Sequence, residues 1–137
     1  MASDFPQVVK GLVAAAKAHS GLTAKVSNRI YFGHAPDVAM PYVVLVPVAP
    51  DGPVRCFADS CDFEDALVQW DIFDDEPSFA TNVATIESDL NLLFDRQTVT
   101  YDDLTHIACA REGGGYGPVW DGTAWQRSLT YKVTYQI

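Results

Sequence analysis

Basic residues are scarce in this sequence: 9 Lys and Arg stand against 18 Asp and Glu, for a formal net charge of −9. That balance argues against a DNA- or RNA-binding protein and against an anionic membrane surface, since both affinities rest on Lys and Arg neutralising phosphate. Long apolar runs are also missing; none approaches the ~18 residues of a membrane-spanning helix. Met1-Ala2-Ser3-Asp4 has neither the basic start nor the apolar core of a secretory leader, so synthesis in the cytoplasm is expected. Cysteine is limited to Cys56, Cys61 and Cys109, an odd set that points to reduced thiols and not to a disulfide framework.

What remains is an ordinary globular composition, 48% apolar and 20% charged over 137 residues. That length fits one domain, 1–137, able to bury roughly 68% of its unfolded surface without staples. Phe5, Val8, Val9, Leu12, Val13 and Ala16 recur at helical spacing, with Pro6 in the first turn and Gly21 as the stop. Val26 to Phe32 reads as a strand. Tyr42 to Val48 is a run of β-formers apolar on both faces, a central strand whose ladder Pro47 should limit. Residues 49–62 read as a long loop.

From Phe63 to Phe73 the pattern alternates, with Ala66, Val68, Trp70 and Ile72 on one face and Leu67, Gln69, Asp71 and Phe73 on the other. Asp74-Asp75-Glu76-Pro77-Ser78 looks like a helix start, and Phe79, Val83, Ile86, Leu90 and Leu93 continue an amphipathic helix to about Phe94. Thr98 to Tyr101 and Leu104 to Arg111 are strand candidates, and Gly113 to Pro118 a flexible connection. In Trp125 to Ile137, Trp125, Arg127, Leu129, Tyr131, Val133, Tyr135 and Ile137 share one face, as in a strand with one wet side. The expected fold class is α+β: a mainly antiparallel or mixed sheet with two amphipathic helices on one face.

Chemistry is thin. Cys56, Cys61, His106 and Cys109 offer four soft ligands, but the spacing is loose and His106 and Cys109 would point to opposite faces of a strand. The glycine-rich run lacks the Lys-Ser/Thr ending of a phosphate loop. The acidic groups Asp59 to Asp65, Asp74 to Glu76 and Asp102-Asp103 do not match a calcium loop and read as solvated surface. No catalytic residues, cofactor or metal are expected.

The stretch Asn28-Arg29-Ile30-Tyr31-Phe32-Gly33-His34-Ala35-Pro36, followed by Pro41-Tyr42-Val43-Val44-Leu45, resembles the tail-terminator/tail-completion (head–tail joining) family of long-tailed phages and gene transfer agents. Val68 to Phe73 followed by a helix, and the closing Arg127 to Val133, agree with the same pattern. The resemblance implies a virion protein, six copies to a hexameric ring, that caps the tail tube and joins it to the head connector. Its partners would be copies of itself, the tail tube protein and the connector or stopper; DNA would cross the lumen without specific binding. Six copies of a chain of charge −9 carry −54 formally, so an acidic lumen would let DNA slide. The loop and the glycine-rich segment supply the candidate contacts: Asp51, Arg55, Phe57, Tyr116 and Trp120. Exposed aromatics beside a glycine run suit contact anchors; Trp125 divides evenly between that role and core packing. Two alternatives stay open, a head-side stopper or neck adaptor of the same particle and a small Cys/His metal-dependent enzyme.

Overall fold

A computed structural model describes residues 5–53, 63–75, 81–101 and 104–136. The chain opens with α1 (Phe5–Ala18), α2 (Ser20–Val26), β1 (Ile30–Phe32) and β2 (Tyr42–Pro53). It continues with β3 (Phe63–Asp74), α3 (Thr81–Phe94), β4 (Gln97–Tyr101), β5 (Leu104–Trp120) and β6 (Trp125–Gln136). The strands form one six-stranded sheet in the order β1-β2-β3-β6-β5-β4. Only the β1–β2 pair is parallel among these; the other four pairs are antiparallel. This is the expected α+β architecture.

The helices lie on one face of the sheet, over the inward set Ala66, Val68, Trp70 and Ile72 of β3 and the apolar positions beside it on β2 and β6. Val8, Leu12 and Ala16 of α1 and Val83, Ile86, Leu90 and Phe94 of α3 join Val43, Leu45, Trp70, Ile72, Leu129, Tyr131 and Val133 in one core, each at most 1% exposed. Aromatic rings tie α3 to the sheet: Trp70 stacks on Phe94 at 5.4 Å, and Phe94 meets Tyr131 edge-on at 6.1 Å. The Tyr131 hydroxyl donates to Asn91 Oδ1 on α3 at 2.6 Å.

Several boundaries differ from the sequence expectation. Gly21 does not stop the first helix. His19 breaks it and starts α2, its Nδ1 accepting from Leu22 N at 3.1 Å, and Leu22 and Val26 bury the short helix at i, i+4 spacing. Val26 therefore ends a helix, and the strand begins only at Ile30. Pro47 does not end β2: pairing resumes beyond a register shift between Pro47 and Ala49 and runs to Pro53↔Glu64. An irregularity absorbs the missing donor. Residues 49–53, read as loop, are thus strand, and 54–62 lie outside the described residues. Asp74 is no helix cap; it closes β3 and is 2% exposed. Glu76 to Ser78 and Asp102-Asp103 lie outside the described residues.

The largest correction concerns Gly113 to Pro118. This segment is not a free connection but part of the 17-residue β5, paired with β6 across two register shifts.

Candidate functional site

Two ends of the sheet carry the residues singled out from the sequence. β5 and β6 form a hairpin that closes through Asp121, whose Oδ1 accepts from Thr123 N, Thr123 Oγ1 and Ala124 N, all at 2.8 Å. These bonds hold the Asp121 carboxyl below its usual range. At this end Trp120 pairs with Trp125, the rings 5.5 Å apart, and Trp125 is in turn aligned with Asp74 of β3. Tyr116 is 63% exposed and Trp120 38%, so both sit on the surface as a contact anchor must. Trp125 is half-buried against the core.

Asp51 lies at the opposite end. Its neighbour Gly52 pairs with Asp65, nine positions along β3 from Asp74. At ~3.3 Å per residue the two ends are about 30 Å apart. Arg55 and Phe57 lie outside the described residues. Of the described candidate contacts, Tyr116 and Trp120 share one end of the sheet and Asp51 lies at the other.

The hairpin is held by a cluster that sequence reading missed. Glu87 of α3 accepts from Arg127 Nε at 2.7 Å and from Arg127 Nη2 and Arg111 Nη1 at 3.1 Å. The same guanidinium groups donate onward to the glycine-rich backbone: Arg127 Nη1 to Gly117 O at 2.7 Å, and Arg127 Nη2 and Arg111 Nη2 to Gly114 O at 2.9 Å. Hydrogen bonding from Arg127 is the main cause that lowers the Glu87 carboxyl, and the reciprocal bond raises Arg127. Glycine is required beneath these arginines. Gly115 and Gly117 have φ of +82° and +86°, and a Cβ would fall 2.7 Å from Ser128 O and 2.4 Å from Gln126 O. A signal was available, since Arg127 sits on the apolar face of its strand and a charge there needs a partner. Spacing alone did not name Glu87.

Register places a band of aromatic, apolar and polar residues on the sheet face away from the helices. Tyr42, Phe73, Gln126 and Val119 align across β2, β3, β6 and β5. In the adjacent row stand Tyr31, Val44, Asp71, Ser128 and Tyr116. Tyr42 stacks on Phe73 at 5.0 Å, and burial, then the Asp121 charge, raises its phenol. The motif that carried the family resemblance is knit here, with Arg29 Nε donating to Pro41 O at 2.9 Å and Val43 N to Arg29 O at 3.1 Å.

Among the described residues no three His, Cys, Asp or Glu side chains come together as a metal site. Cys56, Cys61 and the His106 side chain lie outside them. Cys109 is in the core, where burial pushes its thiol up to about 12. No described helix is long and apolar enough to cross a membrane.

No family model matches the sequence, and no curated protein matches it. Solved structures do. A chain described as part of the virion of a native gene transfer agent particle matches over 100% of both chains, with a TM-score of 0.75 and 11% identity. A second solved chain, whose name states no function, matches over 97% of this chain and 93% of its own, with a TM-score of 0.63 and 13% identity. At such identities the shared property is the fold.

Proposed function

We propose that this chain is a structural virion protein of a phage-like particle, acting as a tail terminator or tail-completion subunit at the head–tail junction. The observation that carries the reading is the end-to-end fold match to a chain of a gene transfer agent virion. In this reading the protein transforms no molecule. It forms a ring of six that caps the tail tube, meets the head connector and leaves a lumen for DNA.

The geometry supports work at two contacts. A junction subunit must face the tube on one side and the connector on the other, and the exposed Tyr116 and Trp120 lie about 30 Å along the sheet from the Asp51 end. Heterologous contacts between copies close a ring when the rotation per subunit permits. An acidic chain of net charge −9 suits a channel to which DNA must not adhere.

Electron cryomicroscopy of particles tests this directly. The expected result is a ring of this fold between the tail tube and the connector. Density in the capsid shell or baseplate, or absence from purified particles, sinks the reading, and density on the head side of the neck reassigns it to a stopper. Native mass spectrometry with tail tubes adds a second check, a ring-sized assembly being expected on the tubes.

A further inference from the structure

On the sheet face away from the helices, beside the loop at residues 33–41, a shallow cavity of about 240 Å³ is lined by Tyr42, Val44, Val46, Phe73 and Asp71, with His34 among the loop residues at its edge. Its walls are aromatic and apolar, the Tyr42 and Phe73 rings stacked at 5.0 Å and Tyr31 set edge-on to Tyr42 at 6.4 Å. Its charged group is Asp71, 9% exposed. Two donors fix that carboxylate, Ser128 Oγ and Gln69 Nε2, each 2.7 Å from Oδ1. No described base forms an ion pair with Asp71. The turn carboxylate of Asp121 adds negative potential from the side, its field reaching Tyr42.

These features select the occupant. The volume is below the ~300 Å³ at which small-molecule and cofactor pockets begin, so a side chain fits better than a free ligand of that class. A phosphate or carboxylate would be repelled by Asp71. An apolar plug would strip water from a buried carboxylate and leave its charge uncompensated. A planar cation satisfies both components, stacking on the aromatic wall while pairing with the carboxylate, and arginine does this better than lysine.

We propose that the pocket receives an arginine side chain from a basic partner protein. A second copy of the chain is a poorer source. Of a second copy's described arginines, Arg29, Arg111 and Arg127 are already engaged, to Pro41 O and to Glu87, which leaves the exposed Arg96, whereas a basic partner is also complementary to this chain's net charge of −9. The inference goes beyond the virion reading, because it concerns the chemistry of one contact and its test needs no particle. Its failure leaves the particle test intact.

The full ¹⁵N-labelled chain is titrated with N-acetyl-arginine methylamide and, separately, with the neutral isostere N-acetyl-citrulline methylamide. Saturable shifts are expected at the amides of 42–46 and 71–73 with arginine only. Asp71→Asn and Phe73→Leu are each expected to weaken that binding about fivefold while the remaining spectrum shows an intact fold. Equal binding of citrulline overturns the proposal, as do arginine shifts scattered over the acidic surface without saturation, or unchanged binding by both variants. Sedimentation is the second arm, with a wild-type monomer expected. Self-association of the wild-type chain that Asp71→Asn abolishes overturns the assignment to a foreign partner.

Discussion

A methyl group at position 117 has no room: φ is +86° and the added Cβ would lie 2.4 Å from Gln126 O, whereas at Gly113 φ is +72° and nothing lies within 4 Å. Gly113→Ala should therefore cost only the left-handed backbone penalty, about 1 kcal/mol, and Gly117→Ala at least about 3 kcal/mol through clash and strain together. Thermal unfolding of the two variants checks this, and equal losses would mean that the hairpin is not clamped as described. Cys109 illustrates the same dependence on surroundings. With its thiol pushed up to about 12 by burial, it should resist alkylation at neutral pH until the chain unfolds. In a C56S/C61S background, where Cys109 is the sole thiol, labelling should track unfolding; fast labelling of the native protein contradicts the core assignment.

Between elements, the decisive contact is the Glu87 carboxylate shared by Arg127 and Arg111, which fastens α3 to the β5–β6 hairpin. Glu87→Ala leaves two half-buried guanidinium groups without their anion and should destabilise by about 2 kcal/mol, more than an exposed ion pair would. The pH dependence follows from sign. The folded carboxyl titrates below its ordinary value of 4.5, so the unfolded state binds the proton first. This stabilisation is present above 4.5 and is lost as pH falls through the lower folded value. Acid unfolding of Glu87→Gln should accordingly show a shallower loss of stability below that point than the wild type. Trp70, fully buried and stacked on Phe94, anchors the other side of α3, and Trp70→Ala should cost about 3–5 kcal/mol in chemical denaturation.

For the molecule as a whole, surfaces can be separated from stability. Tyr116 is 63% exposed, so Tyr116→Ala should change folding stability by no more than about 0.5 kcal/mol. If the hairpin end meets a neighbour in the particle, the same variant should still yield folded protein and lower the yield of joined head–tail particles in complementation. Normal particle yield would remove Tyr116 from the interface. The two ends of the sheet should respond separately, because sites about 30 Å apart with no shared partner behave additively.

Periodicity and residue type by themselves determined the α+β class, the apolar stripe of α1, the inward set Ala66, Val68, Trp70 and Ile72, and the alternation of β6. Each of these follows from the 3.6- or 2-residue repeat that carries side chains to one face, a property of a single element. The resemblance to a phage-type structural family is carried by residues 28–45, within a single stretch of chain. Only the tertiary structure decided what neighbours in space supply. His19 restarts a helix across Gly21, an irregular pairing with β3 carries β2 past Pro47, and Asp74 is buried at a strand end. Two arginines drawn to Glu87 turn a glycine-rich run into paired strand. The clamp joins positions 87, 111 and 127, which no local repeat relates. The Asp71 pocket likewise exists only because strand register sets Tyr42 beside Phe73, an alignment fixed by pairing between strands and invisible along either one.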